Sequence, residues 1–236
     1  IIGKYLFDLV KSNKANPRMT QEEIVQQLLS KGEYHTEKSI KFRSGKELEV
    51  RLHIIAVKDE QNRIINYIGI LSDLTEHKLK ERRLSYLENY DPLTDLPNRF
   101  YYNYQLHLYL ISQQDSLQQL AVIRLNIDRF RPLNEYLSNN GGDELLRQVA
   151  QRLRITNAEA LIVAHLNGDD FAIVYEISHI RPSIQQHCER ITKAFNVPFN
   201  VQGQEHIITL SMGVSLYPEH GRQLDYLNNC AEQALS

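Results

Sequence analysis

Residues 165–171 read "HLNGDDF", between the apolar runs "LIVA" (161–164) and "AIVYE" (172–176). An Asn-Gly pair between alternating apolar segments is the strongest short signal for a β-hairpin. Asn167 and Gly168 both tolerate the positive φ that a type I′ turn demands, so the turn explains itself. It does not explain Asp169 and Asp170, directly after it. Adjacent carboxylates repel unless a cation lies between them. From the window alone, two solvated and idle side chains remain an open alternative to a site.

Around this hairpin the chain alternates strand and helix patterns. "LAVIRLNID" (120–128) is a buried strand. "RPLNEYLSNNGGDELLRQVAQRLRI" (131–155) holds a loop and then a helix with Leu145, Leu146 and Val149 facing the core. "RPSIQQHCERITKAFN" (181–196) is a helix, "HIITLSMGVSLYP" (206–218) a strand, and "GRQLDYLNNCAEQALS" (221–236) a final helix. Residues 99–118 are helical, after the turn-rich "DPLTDLPNRF" (91–100). The resulting order, with a central hairpin, predicts an α/β (α+β) fold whose sheet is covered by helices.

The preceding third reads differently. Residues 1–36 carry a helical pattern, with Thr20 as N-cap and Glu23 at the capping-box position. The period then changes to two. "EKSIKFRSGKELEVRLHIIAV" (37–57) turns at Ser44-Gly45, and "INYIGILSDL" (65–74) follows as a third strand of an antiparallel meander. "TEHKLKERRLSYLENYD" (75–91) is a charged helix that joins the two halves, with Leu84 and Leu87 on a heptad seam. A solvated helix face is the common meaning of such a charge run.

Composition removes several classes of function. With 42% hydrophobic and 24% charged residues the chain is an ordinary globular protein, and a net charge of −2 gives no electrostatic case for binding nucleic acid or anionic lipid. No apolar run approaches the roughly 20 residues of a membrane span. Cys188 and Cys230 follow no spacing pattern and read as reduced thiols, which suits a cytoplasmic protein. The nine His show no metal-ligand spacing, and His165 is expected on the surface. The chain opens without Met and closes inside a helical pattern, so a piece of a longer, even membrane-attached, protein is expected.

From residue 89 onward the motifs resemble the GGDEF family, the diguanylate cyclases. "DPLTDLPNR" resembles its entry signature, Asn126 to Asp143 its D-x-D-x-F-K-x-I-N-D…G-D segment, "NGDDF" its GGDEF turn, and "SMGVSLYP" its later strand. The part before residue 77 resembles the closing half of a PAS sensor domain through "FRSGKELEVRL" and "YIGILSDLTEHK". The division this implies is a partial PAS domain at 1–76, a linker helix at 77–90 and a GGDEF-like domain at 91–236 without the family's Lys-containing tail. In fold terms it is a truncated PAS antiparallel sheet plus a nucleotidyl-cyclase-like sheet covered by helices.

The family joins two GTP into cyclic di-GMP across a dimer, with Mg²⁺ or Mn²⁺ on the phosphates. The resemblance puts Asn134 and Asp143 on guanine, and Asn167 and Gly168 at the phosphate turn. It puts Asn126, the Ile127 carbonyl and Asp169 on the metal, and Asp170 and Arg131 at the chemistry. Four of these depart from the family. Asn126 stands for an Asp, which removes a charge from the cation site, and Asn167 stands for a Gly. Asp170 stands for a Glu, which shortens its reach by about 1.5 Å; a displacement of that size costs about a hundredfold in rate. Arg131 stands for a Lys, keeping the charge but not the shape. The upstream R-x-x-D of the family's product site is "AEAL" (158–161), so no such site is expected. Two readings follow. In one the chain is a regulatory module of cyclic di-GMP signalling that binds GTP without efficient turnover and acts on a partner or a downstream EAL phosphodiesterase domain. In the other it is a working cyclase. A homodimer through the linker helix and the PAS part belongs to both; a third option is a dimerisation scaffold without nucleotide. The PAS ligand is unknown.

Overall fold

In the computed structural model, residues 21–41, 47–112, 119–177 and 183–235 are described. They fall into two compact units, 1–84 and 85–236.

In the first unit, α1 (Gln21–Lys31) packs on a three-stranded antiparallel sheet of β1 (Glu33–Lys41), β2 (Glu47–Lys58) and β3 (Ile64–Asp73). Ile24 and Leu28 meet Tyr34, Leu52 and Ile54, a small core. The helical pattern expected to run to residue 36 stops at Gly32. Its φ of +78° is the left-handed conformation that closes helices, and its N–H donates to Leu28 O at 3.0 Å. Glu33 to Thr36 are therefore strand. Thr20 and the Ser44-Gly45 turn lie outside the described residues. β3 is an edge strand with exposed Ile68, Ile70 and Leu71. The helix α2 (Thr75–Asn89) begins in this unit and ends in the second. Lys78 pairs with Glu37 at 2.9 Å, where Arg51 also binds at 2.7 Å.

The second unit is built on a four-stranded antiparallel sheet in the order β5-β6-β4-β9. Its strands are β4 (Gln119–Ile127), β5 (Ile162–Asn167), β6 (Asp170–Ile177) and β9 (Leu210–Tyr217); β7 (Phe199–Val201) and β8 (Gln204–His206) form a separate small ribbon. Alternation along the central strand sends Ile123, Leu125 and Ile127 to one core, and Leu120 and Val122 to the other. The first core is closed by α4 (Phe130–Thr156) and α5 (Ile184–Phe195), the second by α3 (Arg99–Ser112) and α6 (Leu224–Leu235). Both faces are buried, hence the apolar run of β4, broken at Arg124 and Asn126. Helix α3 ends at Ser112; the rest of the helix expected to residue 118, and residues 181 and 182 before α5, lie outside the described residues. Ser183 and Gln186 form a reciprocal capping box at the start of α5.

Two details differ from expectation and shape the site. Helix α4 runs through the stretch expected to be a loop, but it is sharply bent there. A Cβ on Gly142 would lie 1.7 Å from Asn134 Oδ1, whereas eight residues of straight helix span about 12 Å. The hairpin turn is also displaced by one residue. His165 pairs with Phe171 but Asn167 pairs with Asp170, so Leu166 is an extra, bulged residue on β5. The turn residues are thus Gly168 and Asp169, with positive φ (49°) at Gly168 and none at Asn167. That is the glycine-first arrangement of a type II′ turn rather than the type I′ expected.

The hairpin is buttressed from behind by the "DPLT" turn. The Asp91 carboxylate accepts from Leu93 N, Thr94 N and Thr94 Oγ1 at 3.2, 2.9 and 2.8 Å. It also faces His165 Nδ1 at 3.1 Å, while His165 Nε2 lies 2.8 Å from Gly168 O. His165 is buried, contrary to expectation, and stacks on Phe171. A charged neighbour and the turn carbonyl give its ring a reason to be inside. Burial pulls the Asp91 carboxyl upward, but the hydrogen bonds from Thr94 and His165 outweigh it and hold the group below its ordinary range.

Two outcomes are expected from these contacts. A Cβ on Gly213 of β9 would sit 2.0 Å from Ala231 O of α6, so Gly213→Ala forces the helix off the sheet. It should cost about 2 to 3 kcal/mol, read as a lowered midpoint in thermal unfolding followed by circular dichroism. Asp91→Asn should cost about 1 to 2 kcal/mol at neutral pH. Because the folded-state pKa of Asp91 is depressed, its contribution is present above the ordinary carboxylate pKa and lost as pH falls through the folded value. The gap between wild type and variant in urea midpoints should therefore close as pH drops below about 4.

Candidate functional site

The end of β4, the start of α4 and the β5–β6 turn converge at one edge of the second unit. Asn126 and Asp170 are direct partners across β4 and β6. Ile127 N donates to Asp169 O at 3.4 Å, which brings the turn against the strand end. Four of the residues expected at the site, Asn126, Ile127, Asp169 and Asp170, are thereby neighbours. Asn134 abuts Gly142, and the bend in α4 that permits this sets it beside Asp143, which is exposed. Asn167 and Gly168 are exposed at the turn. Arg131 stands apart from the others: its side chain is 92% exposed and pairs with Glu135 at 3.5 Å along the helix.

Just past Ile127 the chain turns through Asp128 and Arg129. Asp128 is clasped by β9, accepting from Thr209 Oγ1 and from Ser211 Oγ at 2.6 Å, while its N–H donates to Thr209 O at 3.0 Å. Arg129 caps α4 from a left-handed conformation, φ 56°. Pro132 follows in the first helical turn, where a missing N–H costs nothing. A cleft of about 860 Å³ opens here, reaching from Asn126 and Asp128 past Pro132 and Tyr136 to Ile207 and Thr209. Residues 158–161 instead lie by a second cleft, of about 570 Å³, whose walls include Tyr86, Tyr90 and Tyr101.

One residue at the site was not singled out by sequence reasoning. Arg124 is 4% exposed, and its Nη2 pairs with Asp170 Oδ2 at 3.1 Å. Its Nη1 lies 3.7 Å from Glu232 of α6. The other Asp170 oxygen faces Asn126 Nδ2 at 3.5 Å. Nearby, burial pushes the Tyr102 phenol well up, with the Arg124 charge drawing it partly back; its hydroxyl donates to Asn228 at 2.6 Å. The signal was visible as the lone charge in an apolar strand, "LAVIRLNI".

These donors fit a hard divalent ion poorly. Asn126 contributes an uncharged amide turned toward Asp170, and Asp170 is already paired with Arg124. Asp128 is held by Thr209 and Ser211. Among the described residues no cluster of three or more His, Cys, Asp or Glu could hold a metal. Mg²⁺ prefers one or two carboxylates plus phosphate oxygens, and of the three Asp at the end of β4 and the β5–β6 turn, Asp128 and Asp170 are already engaged. No helix is long and apolar enough to cross a membrane among the described residues.

Comparison with known proteins agrees with the architecture. The family model "Diguanylate cyclase, GGDEF domain" matches residues 88–236. The cyclic di-GMP phosphodiesterase NbdA of Pseudomonas aeruginosa is 31% identical over 64% of this chain and 19% of its own length. The diguanylate cyclase TpbB of the same species is 30% identical over 64% of this chain and 35% of its own. The chain thus spans about a fifth to a third of these curated relatives. The crystal structure of a sensory box/GGDEF family protein from Caulobacter crescentus superposes with a TM-score of 0.58 at 32% identity, over 62% of this chain and 95% of that one. A mixed α/β unit with an antiparallel sheet, a bent α4 and a glycine turn at its edge, matched over more than half of its length, makes the chain a member of the diguanylate cyclase GGDEF family of cyclic di-GMP signalling.

Proposed function

We propose that the chain is a regulatory module of cyclic di-GMP signalling whose GGDEF domain binds GTP without efficient turnover. The observation that carries this is the Asn126–Asp170 pair. An amide that can donate to the facing Asp170 carboxylate stands where the resemblance puts an acidic metal ligand. With Asp170 one methylene short, the reacting centre has lost both charge and reach. Base recognition is supported by Asn134 and Asp143 at the bend of α4. A site that hydrogen-bonds one base leaves polar groups unpaired with another, so GTP is favoured over ATP. The first unit we read as the closing half of a PAS sensor domain, on its three-stranded meander and the charged helix that follows. Its ligand is open. Relatives of both activities, a phosphodiesterase and a cyclase, fit a module that modulates a partner or an EAL domain elsewhere in the protein.

Calorimetry with GTP and ATP, and chromatography of products after incubation with GTP and Mg²⁺, test the reading. GTP should bind about tenfold or more tighter than ATP, and Asp143→Ala should erase that preference. Cyclic di-GMP should not accumulate; turnover near 1 per second, ordinary for enzymes, would mean a cyclase that tolerates NGDDF. Equal affinity for both nucleotides would reject guanine recognition by Asn134 and Asp143, and binding of neither would leave the scaffold reading.

We further propose that the chain self-associates through α2. Leu84 and Leu87 are exposed on it, 68% and 41%. Replacing both with Ser should lower the association constant in sedimentation equilibrium and leave the circular dichroism unchanged. An unaltered oligomer would exclude a dimer held by this helix.

A further inference from the structure

The divalent ion that the family implies is poorly accommodated by this chain, and the reason is a side chain rather than a gap. We propose that Arg124 is a built-in cation that balances the charge of Asp170 in place of a metal ion, so that GTP is held without an ion at the end of β4. The inference deepens the nucleotide-binding reading above and rests on it for its second half only.

The alternation of β4 puts Arg124 and Asn126 on one face, the face that Asp170 shares across the strand pair. A buried guanidinium is costly unless its charge is met. Here it is met by Asp170 at 3.1 Å and more distantly by Glu232 at 3.7 Å. Asp170 in turn has one oxygen on Arg124 and the other facing the Asn126 amide at 3.5 Å. An Asp at 126 would set a second carboxylate directly opposite Asp170, a pair that requires a cation. Asn at 126 removes that requirement and contributes a donor besides. Arg124 and Asn126 are therefore a matched set: one supplies the positive charge that a facing pair of carboxylates would require, the other leaves that charge to Asp170 alone. Guanidinium is permanently protonated, so the balance does not depend on the metal concentration around the protein.

The test uses Mn²⁺ as the probe, with the full 236-residue chain and no nucleotide, followed by the paramagnetic resonance of free Mn²⁺. Wild type should leave the signal nearly undiminished. The double variant Arg124→Leu/Asn126→Asp restores two facing carboxylates without the internal cation. It should bind Mn²⁺ about tenfold or more tighter than wild type, since affinity follows ligand charge. Wild type binding as tightly as the double variant would overturn the proposal. Should loss of the buried pair unfold the double variant, as read by circular dichroism, Asn126→Asp alone decides. With Arg124 in place its Mn²⁺ affinity should stay within about threefold of wild type; a gain of about tenfold would overturn the proposal. Calorimetry with GTP in Mg²⁺ and then in excess EDTA gives the second arm. Affinity should change less than about threefold between the two, and a strict need for Mg²⁺ would count against the proposal. Absence of GTP binding in both buffers would defeat the nucleotide reading of the site, while the Mn²⁺ result would still decide the role of Arg124.

Discussion

The second unit depends on one strand that has no solvent face. β4 pairs with β6 on one side and β9 on the other, and its side chains alternate into two separate cores. Such a strand cannot slip in register, because a shift of one residue would exchange both cores at once. The position of Asn126, Ile127 and Asp128 at its end is therefore fixed to the accuracy of the sheet. Helix α4 starts within three residues of it, and the β5–β6 turn is carried alongside by β6. A site built on such an end keeps its geometry even when its chemistry changes. A side chain exchanged at 126 or 170 is therefore expected to change charge or reach without moving the strand end that carries it.

Where that strand would otherwise be wholly apolar, the chain spends its charged groups in linked pairs. Arg124 is met by Asp170, Asp128 by Thr209 and Ser211, and Asp91 by Thr94 and His165. The carboxylates of Asp128 and Asp170, at the end of β4 and across from it, already have partners within the protein. A site assembled this way has little unspent negative charge with which to attract a cation. A comparable cluster fastens α5, with Tyr175 and His187 buried and stacked and with Arg190 and Glu159 paired at its more exposed rim.

The strands and helices were legible because their apolar periods differ, and the hairpin because Gly168 can hold a positive φ. Local signals were also present where the reading went astray. Gly32 stops α1, yet the polar residues after it carry no period that separates helix from strand. His165 looks like a surface residue next to a turn; only the arrival of Asp91, more than seventy positions earlier in sequence, makes its burial favourable. The bend in α4 depends on Gly142 lying against Asn134, a contact that no linear pattern announces. Arg124 was in plain view, but its partners lie on β6 and α6. For His165 and Arg124 the missing information was a long-range contact rather than a local preference.

The bulge at Leu166 has a consequence for how letters are compared with shapes. Aligned by its turn motif, Asn167 occupies a glycine column and looks like a turn residue. In space it is the last residue of β5, opposite Asp170, and the bend begins one position later. A glycine placed there would loosen a strand end rather than relax a turn. Any graft of a catalytic turn into this scaffold has to carry over the extra residue of the bulge together with the residues of the turn, or the acidic side chains after it will face the wrong side of the sheet.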